Sequence, residues 1–249
     1  MRALPVNASL SAVISHAWLT EHSSAESYRV LPNSFTVLGF QFSGRIHHDG
    51  ENRALSTLGA TGILESWRNF RSEASTRSLL IFFKPGGFYR IFGPVAGELR
   101  GDSLSLREVV PAKVEQQFAD ILLGPLPVNQ KWQQVEALLQ KLMHRDISPE
   151  TRGALYWLDT AHGNLSIGHI ASELAVSRRT LERKFTAEVG ASPKHLARIV
   201  RWNHALRNLG HHADLGRTAL AHGYFDQAHF IRETREFSGT TPSLLGQSF

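Results

Sequence analysis

Apolar and polar positions divide the chain into two regimes. Up to about Val110 the pattern is that of strands and turns. Residues 34–46, SFTVLGFQFSGRI, alternate loosely and are rich in β-branched and aromatic side chains, as a half-buried strand requires. Residues 79–83 are a short apolar run read as a buried strand. Lys84-Pro85-Gly86-Gly87 reads as a turn, with residues 88–92 returning as the next strand. Residues 49–58 read as a polar connection.

From Pro111 the period becomes helical. Val114, Phe118 and Ile121 share a face until Gly124-Pro125 ends it. Over residues 129–144, Trp132, Val135, Leu138, Leu139 and Leu142 form a stripe opposite Gln and Lys. That stripe suits packing against its own domain or a dimer contact. The polar stretch 145–150, with Pro149, marks a boundary. Short helices follow. Residues 151–161 turn Leu155 and Leu158 inward, and residues 166–174 turn Ile170, Ala171 and Leu174 inward. Ser177 caps a third, with Leu181 and Phe185 inside and Gly190 at its end. Ser192-Pro193 opens a long helix reaching about Gly210, whose inner residues are Leu196, Ile199 or Val200, Leu206 and Leu209. Asp214 and Asp226 cap two more, the last ending at Gly239.

This helical part repeats. Ala171 and Val176 find counterparts 48 residues later in Ala219 and Tyr224. Leu181 and Gly190-Ala191-Ser192-Pro193 find theirs 49 residues later in Phe230 and Gly239-Thr240-Thr241-Pro242. Each copy is a helix, a tight turn, an amphipathic helix, then Gly-x-(Ser/Thr)-Pro. Gly223 suits a left-handed turn position where the first copy has Ala175. A helix-turn-helix presents its second helix to the major groove. An 18-residue connector from Pro193 to Gly210 would span roughly 27 Å, compatible with two reading helices about one DNA turn apart.

Charge sharpens this picture. The chain has 249 residues and net charge +5, but residues 177–217 carry nine Lys or Arg against three acids. Such an excess draws a polyanion or solvates a helix face. The absence of cysteine excludes disulfide frameworks, thiolate nucleophiles and cysteine-held metals. The opening MRALPVNASL lacks the basic region and apolar core of a signal peptide, and the longest apolar run is too short to span a bilayer. The expectation is a cytoplasmic protein, nucleoid-associated when on DNA, with no membrane partner.

Two segments, IASELAVSRRTLERKFTAEVGASPKHLARIVRWNHAL and GYFDQAHFIRETREFSGTTP, resemble the AraC/XylS family of bacterial transcription regulators over about residues 165–245. Thr218 and Thr234 depart from that pattern, placing hydroxyls at expected core sites; a carbonyl of the preceding turn can take up such a hydroxyl. FFKPGGFYRIFGPVAGELRGDSLSLREV, and more weakly LPNSFTVLGFQFSG, resemble the N-terminal domain of one subset of these regulators, whose ligand is generally unassigned. The resemblance implies a two-domain α+β protein. Residues 1–110 form a mostly β candidate sensor domain, residues 111–148 a helical linker or dimerisation region, and residues 149–249 an all-α tandem helix-turn-helix. It implies sequence-specific binding of double-stranded DNA that activates or represses transcription. A small-molecule effector, an RNA polymerase contact and a homodimer are further candidate partners, and no cofactor is expected.

The family pattern places base-edge contacts at Arg179, Glu182 and Arg183 on the first reading helix, and its DNA-facing positions at Gln227, Ala228, Ile231 and Arg232 on the second. Arginine binds guanine O6 and N7, glutamine pairs with adenine, glutamate accepts from cytosine N4, and apolar side chains meet thymine methyls. Glu182 has the alternative of orienting Arg179 or Arg183. Ser177, Arg178, Thr180, Lys194 and Arg198 are candidate phosphate contacts, Lys194 and Arg198 alternatively being solvated charge. His229 is either a phosphate contact or local packing. Two other functions compete. A non-specific architectural DNA binder would not need the mixed chemistry of Glu182, Gln227 and Ala228. An enzyme in the first domain finds no support in GxSxG, HExxH, GxGxxG or P-loop motifs. His47-His48, His211-His212 and the His16/His22 pair read as loop residues.

Overall fold

A computed structural model describes residues 1–48, 54–94, 96–99, 101–209 and 214–245. The N-terminal part holds β1 (Arg2–Leu4), β2 (Ile14–His22), β3 (Glu26–Val30), β4 (Thr36–Ser43), β5 (Ile46–His48), β6 (Leu58–Thr61), β7 (Arg68–Ser72), β8 (Thr76–Phe83) and β9 (Ser103–Ser105). The larger sheet runs β1-β2-β8-β4-β6-β9 and the smaller β3-β7-β5, with every pairing antiparallel. Ala17, Ile81, Leu38 and Ala60 lie across from one another on four adjacent strands, and all four are buried. Strand alternation thus delivers one continuous apolar row.

Helices α1 (Gly87–Phe92), α2 (Ala96–Leu99), α3 (Leu106–Val109), α4 (Ala112–Leu123) and α5 (Val128–Leu142) follow. Phe88, Ile91, Phe118, Trp132, Val135 and Leu139 join the core of the larger sheet. The α5 stripe therefore packs on its own domain, and the face offered above as a dimer contact is used internally. The Trp132 indole donates to the Pro5 carbonyl at 2.7 Å, and Glu136 accepts from the Asn7 amide at 2.6 Å.

Residues 88–92 are a helix, not the expected returning strand. Strand β8 is already paired with β2 on one edge and β4 on the other, so no partner edge is free. After the left-handed Gly86, Phe88 and Phe92 meet one helical turn apart, their rings tilted with 4.6 Å between centroids, and close the end of the sheet. The histidine pairs are corrected as well. His47 and His48 lie on β5, where His47 meets Glu73 at 2.8 Å and His48 packs on Phe70. His16 and His22 lie on β2; His16 stacks on Phe82 at 4.2 Å, and His22 meets Glu26 at 3.0 Å. His211 and His212, and residues 49–53 of the polar connection, lie outside the described residues.

The second part comprises α6 (Pro149–Thr160), α7 (Ile167–Glu173), α8 (Arg178–Val189), α9 (Pro193–Arg207), α10 (Leu215–Ala221), α11 (Gln227–Ser238) and α12 (Pro242–Leu245). Its core gathers Leu158, Ile170, Leu181, Phe185, Leu196, Ile199, Trp202, Phe230 and Phe237. Ile63 of the N-terminal part belongs to the same core, so the two parts share an apolar contact. The connector α9 has 15 residues, three fewer than expected, and spans about 22 Å.

Candidate nucleic-acid interface

The repeat is exact at the level of hydrogen bonds. In the first unit the amides of Ala175 and Val176 donate to Ser172 and Ala171, each at 3.0 Å. In the second, Gly223 and Tyr224 donate to Leu220 at 3.2 Å and Ala219 at 3.0 Å. The turn residue is left-handed in both, φ +52° at Ala175 and +75° at Gly223. Alanine bears there a strain that glycine avoids.

Each turn feeds a reading helix through a side-chain cap. Ser177 accepts from the Thr180 amide at 3.1 Å, and Asp226 accepts from the His229 amide at 2.6 Å. On α8, Leu181 and Phe185 are buried while Arg178, Arg179 and Arg183 are exposed. Thr180 is half-buried and shares its hydroxyl with Ser177. Glu182 pairs with Arg178 at 2.8 Å rather than with Arg179 or Arg183. Both of those arginines are exposed on the same helix. On α11, Phe230, Glu233, Thr234 and Phe237 point inward, and Gln227, Ala228 and Arg232 are exposed. Ile231 is half-buried, and His229 is half-buried against the Tyr224 ring.

Connector α9 locks the second unit in place. Glu233, 3 % exposed, accepts from Arg198 Nε at 2.8 Å and from Arg201 Nη2 at 3.0 Å, while Arg198 also reaches Glu236 at 2.5 Å. Arg201 lies over the Tyr224 ring at 4.6 Å. Burial alone would raise the Glu233 carboxyl, but Tyr224, Arg198 and Arg201 outweigh it and hold it below the ordinary value. Burial, with Glu233 alongside, pushes the Tyr224 hydroxyl up. Arg198 is therefore not merely solvated: it is half of a clamp on the second reading helix, and 27 % of its side chain stays exposed. Lys194 stays exposed.

Two residues of this arrangement escaped the sequence. Trp202 is fully buried on α9, and its indole donates to the Thr234 hydroxyl at 3.2 Å. Thr234 thus finds its partner on a neighbouring helix, not in its own preceding turn. Trp202 follows Ile199 at helical spacing, a signal that was present. Glu233 had none, since a charged residue on the inward line contradicts the pattern.

A groove of about 830 Å³ runs between α7, α9 and α11. Arg178, Lys194, Arg198, Arg201, Arg232 and His229 line it, with Glu233 and Glu236 among its wall residues. It joins the start of the first reading helix to the exposed side of the second. Among the described residues, no group of three His, Asp or Glu is placed to hold a metal ion, and no helix is long and apolar enough to cross a membrane.

A family model described as a helix-turn-helix domain matches residues 170–247, and one described as a domain of unknown function (DUF6597) matches residues 2–105. No curated protein matches. Among solved structures, the chain is similar to unsaturated fatty acid-bound ToxT from Vibrio cholerae, at 11% identity over 98% of this chain and 96% of that one, TM-score 0.48. It is also similar to an AraC-type regulator from Chromobacterium violaceum, at 27% identity over 40% and 91%, TM-score 0.37. The C-terminal domain of AraT from Geobacillus stearothermophilus matches at 24% identity over 42% and 89%, TM-score 0.39.

Proposed function

We propose that this chain, which carries a helix-turn-helix domain after a β-rich N-terminal part, is a transcriptional regulator of the AraC/XylS type and reads two successive major grooves from one face of the duplex. The observation that carries the reading is the duplicated turn-and-helix unit, whose two reading helices flank one basic groove. In this reading Arg179, Arg183, Gln227, Ala228, Ile231 and Arg232 meet base edges, and Glu182 acts by orienting Arg178. Ser177, Arg178, Thr180, Lys194, Arg198 and His229 serve the phosphates between the two grooves. Two grooves engage about six phosphates, so raising monovalent salt from about 50 to 200 mM weakens binding roughly 10³-fold. The test is selection of duplexes from a random pool by the full-length chain, followed by salt titration. The expected result is a bipartite site with elements one helical turn apart and a steep salt slope. Enrichment of no sequence, as for an architectural binder, overturns the reading.

The N-terminal domain gates this activity in the same reading. Where it meets α6 and α9, a cleft of about 710 Å³ sets Lys84, Arg90 and Arg152 beside Leu155, Tyr156, Leu196 and Val200, with Asp146 and Asp159 also on its wall. Arg90 and Arg152 both pair with Asp146, and Lys84 donates to the Ser11 carbonyl, so an effector with an anionic head and an apolar body would take these cations over from those partners. A thermal-shift series of amphiphilic carboxylates against neutral analogues of equal length checks this, the acids alone being expected to stabilise the protein.

A further inference from the structure

The repeat places a Gly-x-(Ser/Thr)-Pro at the end of each reading helix, and the N-terminal domain covers both ends. Gly190 closes α8 in the left-handed conformation, φ +83°, and a methyl group there would collide with the Ala96 carbonyl of α2. Gly97 packs on the backbone of Thr186 and Ala187. At the end of α11, Gly239 has φ +71°, and a methyl group there would collide with the Trp67 indole. The Ser238 carbonyl accepts from Arg29 Nη1 at 2.7 Å, and the Arg29 guanidinium stacks on Trp67 at 4.3 Å. Between the two ends, His195 Nε2 on α9 donates to the Leu64 carbonyl at 3.0 Å.

The chemistry of this second contact is that of a helix cap supplied by another domain. The last carbonyls of a helix lack intrahelical partners and carry partial negative charge, which an arginine both satisfies and neutralises. Arg29 is on β3 and Trp67 immediately precedes β7, its paired neighbour, so one corner of the smaller sheet forms the clip. Each reading helix has 12 residues, about 18 Å. Gripping its C-terminal end fixes where its N-terminal end, with Arg179 or Gln227, enters a groove. The α9 connector sets the distance between the units, and the N-terminal domain bridges their far ends.

We propose that Arg29 and Trp67 are positioning residues for DNA reading, holding the second reading helix at a set separation and angle from the first. The inference rests on the two-groove reading. Its signature is not affinity but tolerance of spacing, which a merely stabilising contact would leave alone.

The experiment takes the bipartite duplex enriched by the full-length wild type, with versions whose two elements are one base pair closer or further apart. Binding is measured at fixed salt for wild type, Arg29→Ala, Trp67→Ala and Arg29→Lys. Circular dichroism checks folding; the exposed Arg29 is a mild site to change. Wild type is expected to lose about tenfold for a one-base-pair shift, the equivalent of one misplaced base contact. Arg29→Ala and Trp67→Ala flatten that preference, and Arg29→Lys, which keeps a donor for Ser238, restores part of it. Variants that retain the wild-type spacing preference overturn the proposal, as do variants that gain or lose affinity equally at all spacings. Failure of wild type to enrich any bipartite duplex instead defeats the two-groove reading itself.

Discussion

Replacing Glu233 by glutamine isolates the charge that holds the second reading helix. The side chain is 3 % exposed and lies between Arg198 at 2.8 Å and Arg201 at 3.0 Å. Removing one partner of a buried ion pair costs about 3–5 kcal/mol. Two features reduce that figure: glutamine keeps one acceptor oxygen, and Arg198 retains Glu236 at 2.5 Å. A loss of about 2 kcal/mol follows, equivalent to roughly 10 °C if a module of this size melts as a unit. The pH dependence gives the sign. Tyr224, Arg198 and Arg201 outweigh burial, so the folded Glu233 carboxyl lies below its ordinary value of 4.5. A group depressed in the folded state stabilises above its unfolded value, and that contribution is lost as pH falls through the folded value. The advantage of wild type over Glu233→Gln is thus constant above about pH 5 and shrinks on further acidification. Urea titrations read by hydrogen exchange in α9 and α11 peptides separate this module from the rest of the chain. A variant as stable as wild type at pH 7, or a difference that persists unchanged to pH 3, refutes the clamp.

Two further outcomes concern reading and the turns. Arg179→Ala and Gln227→Ala each remove about 1–3 kcal/mol of discrimination, at segments of the site one helical turn apart. Lys194→Ala weakens all sequences alike. Binding to a panel of single-base-substituted duplexes decides, and both reader variants affecting the same base pairs would count against the assignment. Ala175→Gly relieves the left-handed strain at φ +52°. Set against the extra freedom glycine brings to the unfolded chain, it stabilises by up to about 1 kcal/mol. Gly223→Ala, which meets Asn164, destabilises by at least about as much. Thermal melts of the two variants should move in opposite directions.

What the chain by itself determined lies within a few residues of each position. The caps Ser177, Ser192 and Asp226, the left-handed ends Gly190 and Gly239, and the inward lines Leu181/Phe185 and Phe230/Phe237 are local consequences of backbone geometry and helical period. They made the tandem helix-turn-helix and its outward residues legible before any fold was known. Tertiary structure decided whatever depends on distant partners. Residues 88–92 alternate well enough for a strand, and only the occupied edges of β8 make them a helix. Thr234 is an ordinary polar residue until α9 brings Trp202 to it. Glu233 breaks the apolar pattern of α11, and its burial is tolerable only because two arginines more than thirty residues away converge on it. Arg29 lies 209 positions from the carbonyl it caps. Hydrophobic period reports which face of an element is inside, but not which residues from elsewhere in the chain will meet it there; that is settled when the elements pack.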